Sequence, residues 1–243
     1  MPKESSAAAF TEKLQAIASP EEALKMQRYF KTETGQYGAG DQFIGVRMGN
    51  LFNLAKEHFD MSISELEQLL DSPIHEVRAG AVSIMDKASR SKKLPANRRK
   101  EFFDLYVRRH DRINNWDLVD LGALHMVGMY LFDKPRDILY QWAKSDNLWQ
   151  RRSAIVGTAY LIRQNDLDDT FKIAEILVHD THDLIHKGVG WMLRFAGDKD
   201  HKRLLAFLDR YAATMPRTLL RYSIEKLEKP EREYYMGLKK AQS

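Results

Sequence analysis

The chain contains no cysteine. Disulfides, thiolate zinc sites and cysteine nucleophiles are therefore excluded. β signals are scarce as well. Alternating runs of valine, isoleucine and threonine are almost absent, whereas apolar residues recur at spacings of three and four along the whole chain. No apolar run is long enough to span a bilayer, and the polar, Ala-rich segment 1–9 lacks the apolar stretch of a signal peptide. These absences predict an all-α, soluble, cytoplasmic protein with no membrane partner. A strong charge of one sign is missing too: 38 Lys and Arg face 34 Asp and Glu, for a formal net charge of +4. That mild excess permits a nucleic-acid partner without requiring one. What remains is ample material for a core, with 44% hydrophobic residues in 243, which suits one large domain.

The spacing predicts helices over residues 10–18, 20–30, 51–58, 62–70, 73–85 and 102–110, then one headed by Trp116 and continuing through the apolar run 121–131. Further helices are predicted over 135–142, 147–163, 168–179, 183–195, 200–213, 216–227 and 231–239. Ser19-Pro20-Glu21-Glu22 is a helix start, with serine as N-cap and proline in the first turn. Gly35-Gln36-Tyr37-Gly38-Ala39-Gly40-Asp41 has neither a preceding strand nor a Gly-Lys-Ser/Thr ending, so it reads as a flexible connector and not a phosphate loop. Residues 90–100 read as a basic linker. Segment 1–9 is expected to be flexible, leaving 10–243 as a single domain.

A weak repeat runs through these helices. Each unit is a helix, a short polar break, and a second helix that begins with bulky or basic residues and continues with small ones. The second helices carry His75-Glu76-Val77-Arg78-Ala79-Gly80, Asn115-Trp116-Asp117, Trp149-Gln150-Arg151-Arg152-Ser153-Ala154, Ile185-His186-Lys187-Gly188-Val189-Gly190 and Pro216-Arg217-Thr218-Leu219-Leu220-Arg221. Their spacing, roughly 33–40 residues, is that of two-helix solenoid repeats. The small residues let paired helices approach closely. Stacked pairs of this kind curve and line a concave face with their second helices. Trp116, Asp120, Arg151, Arg152, Lys187, Trp191, Arg194, Arg217 and Arg221 would then converge on a basic concave face.

Lys and Arg on such a face suit phosphates, and exposed rings suit sugars, bases or a cationic group. Trp116 and Asp120 are four residues apart and share a helix face, with Asp117 turned away. A carboxylate among phosphate-binding cations would repel the ligand if binding were its only task. Its presence suits a site where positive charge develops, as in hydrolysis of an N-glycosidic bond. On the residues alone, Trp116 and Trp191 serve a core equally well, Asp120 serves as a satisfied interhelical carboxylate, and Arg151-Arg152 as a solvated pair. His179, His182 and His186 have helical metal-ligand spacing, but a break near residues 180–183 splits them, and no metal is expected.

Three segments carry a family resemblance: Trp116-Asp117-Leu118-Val119-Asp120, Leu148-Trp149-Gln150-Arg151-Arg152-Ser153-Ala154-Ile155, and His186-Lys187-Gly188-Val189-Gly190-Trp191-Met192-Leu193-Arg194. Together with Tyr37-Gly38-Ala39-Gly40-Asp41, Phe43-Ile44-Gly45-Val46-Arg47 and Thr214-Met215-Pro216-Arg217, they make the chain from residue 22 to 235 resemble the AlkD-type DNA alkylation repair glycosylases. The resemblance implies a HEAT-like repeat solenoid, an α-α superhelix. It also implies excision of cationic alkylpurines such as N3-methyladenine and N7-methylguanine from duplex DNA, by a monomer without cofactor or metal. A cationic base is already a good leaving group, so no strong general acid is needed.

The resemblance assigns Asp120 to the developing charge on the sugar and to the water. It assigns Trp116 and Trp191 to cradling the sugar and backbone, and Arg152 to a phosphate. Tyr29 matches a DNA-facing tyrosine. Arg47, Arg78, Arg151, Lys187, Arg194, Arg217 and Arg221 are further expected DNA contacts. The sequence departs from the best-known branch at Arg47, where that branch has glutamine. Two other readings stay open: a non-catalytic repeat protein that binds DNA structures, and a protein-binding helical scaffold.

Overall fold

Polar side chains set the helix boundaries. Ser6, Ser19 and Ser62 accept from the backbone N–H groups of Ala9, Glu22 and Glu65 and so start α1 (Ala7–Ala16), α2 (Pro20–Tyr29) and α4 (Ile63–Asp71). Each satisfies a donor that the first helical turn would leave open. Asn115 does the same for α7 (Trp116–Gly122), Asn147 for α9 (Leu148–Arg163), His182 for α11 (Asp183–Gly197) and Asp200 for α12 (His201–Tyr211). The computed structural model describes residues 5–238. Among them the chain is helical throughout, with one isolated bridge, Gln42 to Ile74, and no strand.

The chain folds into two compact units, Met1–Tyr130 and Leu131–Ser243. In the first, α5 (His75–Ser89) packs against α1, α3 (Met48–Lys56), α4 and α7, while α6 (Ala96–Arg108) packs against α4. Every residue of α5 except Lys87 is buried, which makes it the central helix of that unit. Gly80 gives it room: a β-carbon there would lie 2.3 Å from the Phe10 ring. A 3-10 turn, His110–Arg112, precedes α7, and α7 continues as a π-helical stretch, Ala123–Met129.

In the second unit α9 packs against α8 (Asp137–Ala143), α10 (Asp168–Leu177) and α11, and α11 packs in turn against α10, α12 and α13 (Arg217–Ser223). The last helix is α14 (Lys229–Leu238). The row α9, α11, α13 is thus flanked by α8, α10 and α12. Gly190 lets two members of the row touch, since a β-carbon there would sit 2.7 Å from the Leu219 carbonyl oxygen. The second helix of each repeat begins at His75, Trp116, Leu148, Asp183 and Arg217, in the five places the repeat predicted. The fold is all-α and built from helical pairs.

Three expectations are corrected. The first helix begins at Ala7, not at residue 10, because Ser6 supplies a cap. The basic stretch 90–100 is a linker only to Pro95, after which α6 starts; Arg99 donates to the Ser89 carbonyl at 2.5 Å, closing the end of α5. The end of the glycine-rich stretch is no free connector. The Asp41 carboxylate is enclosed and bonded to Arg78, and Gly38 packs so closely on the Phe30 carbonyl that a β-carbon would lie 2.3 Å from it. The last predicted helix runs to Leu238, and its expected end at Lys239 lies outside the described residues.

Candidate active site

The head of α7 is built by two asparagines and a buried aspartate. Asn115 accepts from the Trp116 N–H at 2.9 Å and donates to Asp41 at 3.2 Å. Asn114 donates to the other oxygen of Asp41 at 3.3 Å. Asp117 turns inward, as its helix position requires, and accepts from Nε2 of His75 at 2.8 Å. The other ring nitrogen of His75 meets Asp41 at 3.3 Å, and Arg78 donates to Asp41 at 2.5 Å. Two cations and two carboxylates therefore close a buried quartet.

Burial opposes charge on both His75 and Asp41, and the partners outweigh it. Asp117 and Asp41 hold His75 up at about 9. His75, Arg78 and Asn115 hold Asp41 down at about 2.

Aromatic rings stack above the quartet. Phe43 lies on His75 at 4.7 Å between centroids, Phe30 on Phe43 at 5.1 Å, and Trp116 on Phe30 at 5.5 Å. Tyr29 meets the Trp116 ring edge-on at 5.8 Å and is itself 66% exposed. Trp116 therefore combines both of its open readings: it packs on the small core of Ala23, Phe30 and Phe43 yet stays only partly buried. Asp120 follows one turn later and is likewise partly exposed. A carboxylate and an indole thus share the partly open side of α7, while Asp117 is consumed inside.

Glu76, beside His75, is buried among backbone amides. Its carboxylate accepts from Ile44 at 3.1 Å, Gly45 at 2.7 Å and Val46 at 3.2 Å. Gly45 has a φ of +82°, and a β-carbon there would lie 2.0 Å from the Ser19 carbonyl oxygen, so only glycine fits. Arg47 follows at the head of α3. Its guanidinium forks onto Glu22 at 3.2 and 3.1 Å, with 72% of its side chain exposed. Hydrogen bonds from Arg47 and Lys25 hold Glu22 down at about 2.

Arg78, expected on phosphate, is corrected: it is 2% exposed, and its guanidinium is bound to Asp41 and to the Ser72 and Pro73 carbonyls. The reason is that α5 is buried on every side, which its basic and small residues did not reveal.

In the second unit Arg152 is 5% exposed, and its Nη1 donates to the Leu184 carbonyl at 2.5 Å. Arg151 bonds Asp180 at 2.7 Å and the Ser145 and Asp146 carbonyls at 2.9 and 3.0 Å, so it is no solvated cation. Trp191 is partly exposed, edge-on to Phe195 at 5.5 Å. Lys187 pairs with Asp183 at 2.7 Å, Arg194 pairs with Glu225, and Arg217 reaches the Met236 carbonyl at 3.0 Å. Arg221 is exposed. Of the three histidines with metal spacing, His182 caps α11, His186 meets the Asp180 carbonyl at 2.5 Å and His179 packs edge-on to Tyr211. No three His, Asp or Glu groups among the described residues gather as a metal site.

The roles of His75, Glu76 and Asp41 were not found in the sequence. The signal was present in the string His-Glu-Val-Arg at a helix start, three ionisable groups directly ahead of the small and apolar run 79–85. Such groups on a central helix must be paired.

The model of the family of DNA alkylation repair enzymes matches residues 10–227. Among solved structures, a predicted DNA alkylation repair enzyme from Enterococcus faecalis superposes with a TM-score of 0.70 at 18% identity, over 87% of this chain and 97% of that one. AlkD2 from Streptococcus mutans aligns with a TM-score of 0.46 at 18% identity, over 96% of this chain and 94% of that one. No curated protein sequence matches significantly.

Proposed function

The chain belongs to the DNA alkylation repair enzyme family, and from that premise we propose that it is a DNA glycosylase for cationic alkylpurines such as N3-methyladenine and N7-methylguanine in duplex DNA. It acts as a cytoplasmic monomer on the chromosome, without metal or cofactor. One observation carries the reading: Asp120 lies one turn from Trp116 on α7, both are partly exposed, and the exposed ring of Tyr29 meets the Trp116 indole.

In the proposed reaction the N-glycosidic bond breaks with its electron pair leaving on the base. The base is already cationic and departs neutral. Positive charge develops on the sugar, where the Asp120 carboxylate stabilises it. Water adds to the anomeric carbon and loses a proton, which restores the charge balance. Trp116 and Trp191 pack against sugar and backbone, and Tyr29 extends the aromatic surface beside Trp116. Arg152 contacts a phosphate; its bond to Leu184 holds the guanidinium in place beforehand. Arg47 and Arg221 supply further backbone contacts, as does Lys187.

The test is base release from duplex DNA containing N7-methylguanine, with Asp120→Asn beside the wild type. The wild type should release the base, and the variant should bind the same DNA without releasing it. Release by the variant at the wild-type rate would sink the mechanism. DNA binding with no release by the wild type would favour a non-catalytic DNA-binding protein.

A further inference from the structure

We infer that His75 is a positioning residue for this site: its doubly donating ring fixes the first turn of α7 and the aromatic stack, and so sets the orientation of Trp116 and Asp120. The inference rests on the glycosylase reading for one of its measurements and stands on geometry otherwise. Both ring nitrogens face carboxylate oxygens, Nε2 at 2.8 Å from Asp117 and Nδ1 at 3.3 Å from Asp41. A neutral imidazole has one N–H and would turn a lone pair on one carboxylate. Only the imidazolium donates to both.

The ring reaches α7 by two routes. One is the direct bond to Asp117. The other runs through its face: Phe30 lies 5.0 Å from His75 and carries Trp116 on a stack at 5.5 Å. Asp120 lies one turn beyond Trp116 on the same helix. A rotation of that turn therefore moves the indole and the carboxylate together.

The charged groups around His75 come from each neighbouring segment. Asp41 arrives from the loop before α3, Asp117 from α7, and Arg78 from α5 itself, with Arg112 acting on Arg78 from the 3-10 turn. Glu76 faces away, onto the amides of residues 44–46. The loop is tied to the start of α5 by backbone as well, the His75 N–H donating to the Gln42 carbonyl at 2.7 Å. Burying four charges costs desolvation that an apolar core of equal volume would avoid. What the quartet provides is a fixed direction for α7, whose outer side carries Trp116 and Asp120.

Two readouts test this. In the free protein, the His75 ring followed by NMR should remain imidazolium through neutral pH and beyond about pH 8; titration near the ordinary histidine value of about 6.5 would overturn the inference. In single-turnover excision, His75→Gln should lower the rate by about tenfold or more while DNA affinity changes by less than about threefold. Asp117→Asn, which keeps the shape and removes the charge, should show the same split. A fall in rate and affinity together, in proportion to the loss of folded protein by circular dichroism, would reduce His75 to structural support and overturn the inference. If the wild type releases no base, the glycosylase reading fails separately. The positioning role is then read from the Trp116 fluorescence, taken as wild type minus Trp116→Phe. That spectrum should shift in His75→Gln, and an unchanged one would overturn the inference.

Discussion

The helix starts of the two units look alike in sequence but use charge differently. In the first unit, groups from three segments gather into one buried quartet around His75 and Asp41. In the second unit four arginines each fasten one repeat to its neighbour. Arg151 of α9 reaches Asp180, just before α11, and Arg152 of α9 reaches Leu184 in α11. Arg194 of α11 reaches Glu225 beyond α13, and Arg217 of α13 reaches Met236 in α14. Repeat proteins hold together through such nearest-neighbour contacts. A basic residue on the second helix of a repeat can therefore serve as a staple between repeats. The quartet instead joins a loop to two helices and leaves Asp120 on the partly open side of α7.

This difference can be broken or sharpened by experiment. The largest effect should come from Asp120→Asn, with base release reduced by about a hundredfold or more and DNA affinity retained, measured in single turnover. A residual rate near wild type would mean that the two units differ in packing only. Next is Arg78→Ala, which leaves Asp41 with one cation fewer in the interior. Urea unfolding should show a loss of about 3–5 kcal/mol. If the loss is small, the quartet is not what joins the loop to α5.

Gly45→Ala should cost about 1–3 kcal/mol in the same measurement, because a left-handed backbone and the Ser19 carbonyl both reject a side chain. The quartet also predicts a pH window. Asp41 is held below its ordinary value, so its contribution is complete above that value and is lost as pH falls through about 2. His75 is held above its ordinary value, so its contribution is complete below it and is lost as pH rises through about 9. Thermal midpoints should thus decline on the alkaline side in the wild type and less steeply in His75→Gln.

The smallest effects should separate staples from contacts. Arg47→Ala and Arg221→Ala should each lower the salt slope of DNA binding by about one, with little change in thermal midpoint. Arg151→Ala should lower the midpoint and leave the slope unchanged. A changed slope for Arg151 would show that it reaches phosphate after all.

Much of the fold could be read from residue types. Ser19 with Pro20, Asn147 and Asp183 marked helix starts within a residue or two, because capping is local chemistry. The repeat of second helices was legible from small residues such as Gly80 and Gly190, and the shared side of Trp116 and Asp120 followed from a spacing of four. The fate of the cations was not legible. Arg78 and Arg47 look equivalent in the string, yet one is enclosed and the other open to solvent.

The sequence by itself determined an all-α chain, the period of its helix pairs and the pairing of Trp116 with Asp120 on one side of α7. Periodicity and capping act within a few residues, so they survive without knowledge of the neighbours. Only the tertiary structure decided which charges are spent inside. Asp41, His75 and Asp117 lie far apart in the chain and meet only when loop, α5 and α7 pack. Which partner a carboxylate such as Asp117 meets depends on what packing brings within hydrogen-bond reach, and that partner is not written in its own helix.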